Sequence, residues 1–599
     1  MNKHTIEEFL TIKKSFSPSF SHDASSVAFL SDLSGVAQLY LVPREGGELK
    51  QLTSYSDPIA DFAFSPTARE LLFAMAERGN ERFQLYLLNL DSGNTERLTD
   101  NDAAIYRIGG WSNDGNSITY SSNERNGADF DIFVMDRATK QSRCVFDQGG
   151  WCDPYGFSPD GRKVAILKRH TLLHNDLFLF DLDANTLYLA TPHEGRAAYG
   201  RPSWSPDSGS FFFVSDEGKE FLGVSLYDIA GQGSNRVLDF SWDVDTLALS
   251  EDGALLLAVI NEDGYSKPML HDAKTLKQIP DIALPPGVTL DAKWSHDSQY
   301  LVFSRESDTA NTDVWIWSRK ENKSWQLVTS PSKVSREVFV ESSLVHYPTF
   351  DAREIPAFIF VPSHTEGKKI PAIIHIHGGP EWQARPSFNP LIQYLVYRGY
   401  AVAVPNVRGS SGYGRTYLAL DDREKRMDAV RDLEYLHKAL EQRGDIDSKK
   451  IALLGGSYGG YMVLAGLAFQ PSLWAAGVDI VGIANLTTFL QNTSAWRRAL
   501  REPEYGYLDK DQEMLRQLSP IYGIENVKAP LFIIHGANDP RVPLSEAEQM
   551  AVRLKMIGKE VELLVYPDEG HGLAKLKNRM DAYPKVAAFL DKHLMETAN

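Results

Sequence analysis

Gly455-Gly456-Ser457-Tyr458-Gly459 follows the apolar run Ile451-Ala-Leu-Leu454 and precedes a second one, Tyr461-Met-Val-Leu464. A serine on a sharp strand-to-helix turn is held out for attack, and flanking glycines let the turn close. A hydroxyl needs a base to take its proton, and that base needs a carboxylate to orient it. In this type of strand–turn–helix setting the chain order is serine, acid, histidine. Three histidines follow Ser457: His535, His571 and His593. His535 ends an apolar strand and His593 falls in a terminal helix, whereas His571 sits in the loop Asp568-Glu-Gly-His-Gly572, just after a strand. His571 is therefore the expected base. Asp539 comes three residues after the strand Leu531-Phe-Ile-Ile-His-Gly536, at the carboxyl edge where sites of open sheets gather, and is the expected acid. Asp479 falls inside a strand, and Asp568 reads as a solvent-facing neighbour of the base.

Acyl transfer also needs donors for an oxyanion. One is the backbone N–H after the nucleophile, at Tyr458; the other comes from a loop after an earlier strand, where His377-Gly-Gly-Pro380 offers Gly379. His375 and His377 have a His-x-His spacing, but no third ligand lies near them in sequence, so no metal is expected there. No cofactor motif stands out.

These residues need a sheet to hold them. From Glu354 onward, strand candidates (357–361, 372–377, 401–405, 451–454, 476–480, 531–535 and 561–566) alternate with helices near 422–443, 458–469, 543–557 and 579–595. Such alternation implies a mostly parallel sheet covered on both faces. A polar joint covers residues 331–353, with a strand within 338–350.

The first half of the chain is different. An aromatic residue or leucine meets serine at Phe20-Ser21, Phe64-Ser65, Trp111-Ser112, Phe157-Ser158, Trp204-Ser205, Leu249-Ser250 and Trp294-Ser295, with the serines 44, 47, 46, 47, 45 and 45 residues apart. After each anchor come a turn and short β-rich runs, four strands per unit. A unit of that size is a propeller blade, and the repeated aromatics are expected to pack between blades. The fold class expected is a seven-bladed β-propeller followed by an α/β-hydrolase domain. Residues 1–15 form an N-terminal segment with a short helix from Ile6 to Lys13, expected to pack on the second domain; residues 16–332 form the propeller and 333–599 the hydrolase domain.

Charge and composition exclude other classes. A net charge of −17 argues against nucleic acid as a partner, since phosphate binding needs clustered Lys and Arg. No apolar run is long enough for a membrane helix. The N-terminus lacks a signal-type apolar core, and two cysteines, Cys144 and Cys152, make no disulfide framework. A cytoplasmic location follows as the expectation; a homo-oligomer is left open.

Taken together, His377-Gly-Gly-Pro380, Asn406-Val-Arg-Gly-Ser-Ser-Gly-Tyr-Gly414, Gly455-Gly-Ser-Tyr-Gly-Gly460, His535-Gly-Ala-Asn-Asp-Pro-Arg-Val-Pro543 and Gly570-His-Gly572 resemble the prolyl oligopeptidase family of serine peptidases, most closely its acylaminoacyl-peptidase-like branch. The resemblance spans essentially the whole chain, because that family also sets a propeller ahead of its hydrolase domain. It implies a triad of Ser457, Asp539 and His571 acting on short peptides, with the propeller restricting substrate size. It further implies that Arg541 holds a substrate carbonyl, the alternative being an ion pair at the surface or between domains. Val542 and Tyr458 would border the pocket before the scissile bond. Trp496 and Phe489 are candidates for the same pocket, with core packing as the alternative. His377 stands where true prolyl oligopeptidases carry a tyrosine hydroxyl, so both oxyanion donors should be backbone. No acidic pair on a helical insertion, the device by which dipeptidyl peptidases grip a free amino terminus, is visible in the blades. An esterase or amidase of small acyl substrates, or a dipeptidyl- or carboxy-type exopeptidase, remains as the alternative.

Overall fold

The computed structural model describes residues 4–363 and 367–595. Seven antiparallel sheets occupy the first half, each built from strands consecutive in sequence: six have four strands and one has three. In the three-stranded sheet (Val244–Leu249, Leu255–Glu262, Tyr265–Asp272) the outer strand is reduced to a single bridge between His271 and Gln278. Pro280, Pro285 and Pro286 follow in that segment, and proline cannot donate to a ladder. Among the described residues, no strand is shared between the first and last blades. The ring is closed by side chains, with Phe20, Val27 and Phe29 packing on Val302, Val314 and Ile316.

The repeated serines have a common task. Ser112 Oγ donates to Asp114 at 2.6 Å and accepts from Ser117 N at 2.9 Å. The same pattern recurs at Ser21, Ser158, Ser205, Ser250 and Ser295. Each pins the turn that starts the next strand, a local bond that costs little chain entropy. Ser65 has Thr67 where the others have Asp, and accepts instead from Ala68 N at 3.2 Å. The aromatic anchors do more than pack between blades. All six, with Leu249, line one axial cavity of about 610 Å³, and Trp111 and Trp294 also donate across to the carbonyls of Ala63 and Ala248 in the preceding blades. Inter-blade packing falls mainly to the strand residues, such as Ala165, Leu167, Phe211 and Phe213.

The second half carries one eight-stranded sheet, β1 (Ser343–Pro348), β2 (Glu354–Phe360), β3 (Ile370–Ile376), β4 (Ala401–Pro405), β5 (Ile446–Gly456), β6 (Ala476–Ile480), β7 (Leu531–Gly536) and β8 (Val561–Tyr566). Its order is β1-β2-β4-β3-β5-β6-β7-β8, with β1, β2 and β4 joined antiparallel and the remaining pairs parallel. Two cores cover its faces, one around Leu453, Tyr461 and Ile533, the other around Ile373, Leu454 and Phe532. Neighbours in β5, Leu453 and Leu454, thus fall in opposite cores, as strand alternation requires. The short helix Ile6–Leu10 lies on the second core, with Phe9 edge-on to Tyr394 at 5.4 Å. Among the described residues, no helix is long and apolar enough to cross a membrane.

Candidate active site

Ser457 caps the helix Tyr458–Phe469 directly after β5, with φ 58° and ψ −118°. That is a costly backbone state for a residue with a Cβ, and the surrounding glycines allow it. A Cβ on Gly459 would lie 2.1 Å from Ile376 O, and one on Gly455 2.4 Å from Gly459 O. Strand and helix therefore meet almost backbone to backbone, leaving the serine at the crest.

His571 and Asp539 reach Ser457 from the ends of β8 and β7. His571 Nδ1 lies 2.7 Å from Asp539 Oδ2, and its Nε2 lies 2.9 Å from Ser457 Oγ. A carboxylate only accepts, so Nδ1 carries the ring proton and Nε2 offers its lone pair to the serine hydroxyl. The other Asp539 oxygen accepts from the N–H groups of Arg541 (2.8 Å) and Val542 (3.0 Å). Burial alone would raise the pKa of this carboxyl; the adjoining His571, with His535 and the backbone donors, outweighs it and holds the group below its ordinary 3.8. His535 is buried beneath, donating from Nε2 to Val542 O at 2.9 Å. Asp568 is occupied by Lys575, Lys577 and Asn578. Asp479 lies buried against Gly460 and Gly482, where burial pushes its carboxyl up to about 7.

The loop that carries His571 is fixed from both sides. Buried Glu569 accepts from Lys575 N (2.9 Å), Ala574 N (3.1 Å) and Asn578 Nδ2 (2.8 Å). A Cβ on Gly570 would lie 2.0 Å from Gly79 O, and one on Gly536 2.1 Å from Gly570 O. Three glycines, from β7, the histidine loop and the second blade, thus stack in direct contact.

Of the two expected oxyanion donors, Tyr458 is the first residue of its helix, so its N–H has no intrahelical acceptor. Gly379 has φ +121° in the turn after β3, and its neighbour Gly378 comes so close that a Cβ there would lie 3.4 Å from Ser457 Cβ. Tyr458's side chain does not border a pocket: it is buried, and its hydroxyl donates to Asp421 Oδ2 at 3.0 Å. Beneath it runs a buried charge chain in which Arg426 bonds Asp421 and Glu504, and Arg501 bonds Glu504 (3.0 Å) and Glu381 (3.2 Å).

The expected substrate contacts divide. Arg541 stands two residues beyond the acid, yet its Nε donates to Glu81 of the second blade at 2.6 Å, which is the interdomain ion pair. Val542 is buried, with both backbone groups committed to the Asp539–His535 pair. Phe489 is a core residue, edge-on to Tyr505 at 5.6 Å; the helix Leu486–Asn492 turns it inward, so it lines no pocket among the described residues. Trp496 crosses the domain seam, its ring 4.7 Å from Trp151. With Ser494, Asn538, Glu81 and Ile105 it lines a cavity of about 500 Å³ between blade and hydrolase domain. Arg497 and Glu81 were not legible as site residues. Arg497 is half-buried beside Arg501 and Arg541, its Nε lacks a hydrogen-bond partner, and burial with those like charges brings it down to about 9. Glu81 comes from the other domain, so no spacing around the triad could have revealed it. Trp382, three residues past Gly379, is 69% exposed.

His375 is half-buried and its buried Nδ1 has no partner, while His377 contacts Gly378 O and Ser410 Oγ.

Fold and site together define a serine hydrolase built on an open α/β sheet and faced by a propeller. The prolyl oligopeptidase family profile matches residues 386–597, and a TolB β-propeller domain profile matches residues 13–129. Dipeptidyl aminopeptidase BIII of Pseudoxanthomonas mexicana is 27% identical over 93% of this chain and 77% of its own length. Acylamino-acid-releasing enzyme 1 of Oryza sativa subsp. japonica is 28% identical over 41% of this chain and 33% of its own. A puromycin-hydrolysing peptidase of Mycobacterium tuberculosis, 17% identical, superposes with a TM-score of 0.87 over 99% of this chain and 96% of its own. Residues 386–597 thus carry a prolyl oligopeptidase family domain, and the chain, a serine-type peptidase, is similar to acylaminoacyl- and dipeptidyl-peptidases.

Proposed function

We propose that the chain hydrolyses short peptides through Ser457, His571 and Asp539, with the propeller limiting substrate size. The observation that carries this reading is the continuous bond path from Asp539 through both nitrogens of His571 to Ser457. Ser457 Oγ attacks the carbonyl carbon as His571 Nε2 takes its proton; the N–H groups of Tyr458 and Gly379 receive the oxyanion. His571 then gives the proton to the leaving amine. Water repeats the sequence on the acyl-enzyme, restoring Ser457. Asp539 keeps the ring in the required tautomer and stabilises its cation. The relatives named above support peptide-bond chemistry. The blade-2 loop seated on Gly570 supports restricted entry, because it brings the propeller directly against the loop that carries His571. The two free cysteines accord with a reducing, cytoplasmic setting.

Digestion of a peptide library read by mass spectrometry is the test. Cleavage of short peptides by the wild type and none by Ser457→Ala supports the reading; turnover of small esters with no peptide product overturns it. A second reading, a preference for free amino termini, is favoured by Glu81, which places a carboxylate beside Arg541. If Arg541 turned to a substrate carbonyl, Glu81 would be released to pair with an α-ammonium group. Comparing kcat/KM for free and N-acetylated versions of one peptide separates the two readings.

A further inference from the structure

The fourth blade carries a cluster of side chains that has no part in the triad chemistry. Its central hairpin pairs Lys163–Thr171 with His174–Asp181, and the register places Lys168 opposite Asp176 and Thr171 opposite His174. His174 and Asp176 are two residues apart, so they share a face of the strand. His170 sits where the register shifts between Arg169 and Thr171, and such a bulge re-aims a side chain. The ligating atoms of His170, His174 and Asp176 all come within 4.8 Å of one another, with His170 Nε2 and Asp176 Oδ2 at 2.7 Å.

A third imidazole joins them from the next connection. His193 lies with its Nε2 3.1 Å from His174 Nε2. Its Nδ1 faces Thr191 O at 2.8 Å. A carbonyl only accepts, so Nδ1 holds the proton and Nε2 presents a bare lone pair into the cluster. A backbone carbonyl fixing the far nitrogen is the arrangement that orients metal-ligating histidines. The spacing of the two Nε2 atoms is also short enough for both to bind one ion, given a metal–nitrogen bond of about 2.0–2.1 Å. The His193 side chain is buried, that of Asp176 is largely so, and His170 is the exposed member at 37%. The group is thus partly shielded yet open to solvent on one side.

We propose that His170, His174, Asp176 and His193 form a binding site for one divalent transition-metal ion of the zinc class. Three imidazoles and one carboxylate suit Zn²⁺ or Co²⁺, and would disfavour Ca²⁺ and Mg²⁺, which require more oxygen ligands. The site ties the hairpin tip to the connection at residues 191–196. Both ends of that tie lead to the hydrolase domain. The strand Lys163–Thr171 packs on the helix Ala495–Tyr505, and Leu172 at the tip shares a cavity of about 150 Å³ with Trp496, Arg497 and Arg501. On the other side, Arg196 and Arg415 exchange bonds with each other's carbonyls. A metal here would stiffen the blade that borders this smaller seam cavity without touching Ser457.

The experiment uses full-length protein stripped with a chelator and titrated with Zn²⁺ by calorimetry, and with Co²⁺ by visible absorption. Expected are one ion per chain, an intense four-coordinate Co²⁺ spectrum, and a Tm that rises with Zn²⁺. His174→Ala should abolish stoichiometric binding. His170→Gln, at the exposed position, should weaken it at least tenfold while leaving the metal-free Tm unchanged, so that loss of binding is separable from loss of fold. Absence of stoichiometric binding by the wild type, or equal binding by wild type and His170→Gln, overturns the proposal.

Discussion

Asp539 is buried and accepts from His571 Nδ1, Arg541 N and Val542 N. Replacing it by Asn keeps the shape but reverses the donor–acceptor relation with the ring, favouring the tautomer that cannot accept the serine proton. Asp539→Asn should lower kcat by about 10⁴-fold with an unchanged circular dichroism spectrum; a loss under tenfold would remove Asp539 from the mechanism. The same carboxyl has a folded pKa below its ordinary 3.8. A depressed carboxylate contributes stability that is fully present above the unfolded value and is lost as pH falls through the folded one. Denaturation midpoints of the wild type should therefore drop below about pH 4 more steeply than those of Asp539→Asn. Arg541 offers a third measurement at this scale. Glu81 holds it at 2.6 Å, so if it exchanges that partner for peptide backbone, Arg541→Ala should impair peptide cleavage far more than small-ester cleavage. Equal losses would confine it to the interdomain pair.

Among the elements, the strand–helix junction and the buried charge chain carry the site. A methyl group on Gly459 would meet Ile376 O at 2.1 Å, and a backbone carbonyl of the central sheet has little room to move. Gly459→Ala should cost about 1–3 kcal/mol or more, measured by chemical denaturation, and lower kcat as the elbow shifts. A stable, fully active variant would contradict the close packing described. Arg426 is entirely buried between Asp421 and Glu504, and Tyr458 stands on it. Asp421 already sits at about 7, raised chiefly by burial against the pull of Arg426. Arg426→Leu would strand two buried carboxylates, which costs about 3–5 kcal/mol when a buried pair is broken from one side.

For the whole molecule, the proposed size limit makes the seam between propeller and hydrolase domain the expected gate. It is largely polar: Arg385 bonds Asp245 (2.5 Å), Gln383 accepts from Asn261 (2.7 Å), Thr416 bonds Glu220 (2.7 Å) and Lys575 bonds Asp57 (3.0 Å). Polar interfaces of this kind permit relative domain motion. Loosening the seam away from the triad, with Glu220→Ala and Arg385→Ala together, should raise the longest peptide cleaved while leaving dipeptide-ester turnover within about twofold, a surface-type effect. A length series of peptides reads this out, and an unchanged cut-off would show that the seam does not gate entry.

Much of this architecture is legible from the chain alone. The blade repeat is written in local bonds, each serine closing a turn within five residues, so spacing suffices to count seven units. The candidate triad residues follow strands whose apolar runs mark their ends, which is why Ser457, Asp539 and His571 stand out by position. Sequence could not supply what lies across the domain seam. Glu81 is 460 residues from Arg541, Trp151 meets Trp496 from the other domain, and the roles of Arg541 and Trp496 depend on those meetings. Nor could it separate a pocket-lining Phe489 from a buried one, because both are apolar residues on a helix and only packing sets which face turns inward. The seven anchors, six aromatic and one leucine, show the same division. Their period is a property of the sequence, whereas their convergence on one axial cavity exists only once the ring has closed.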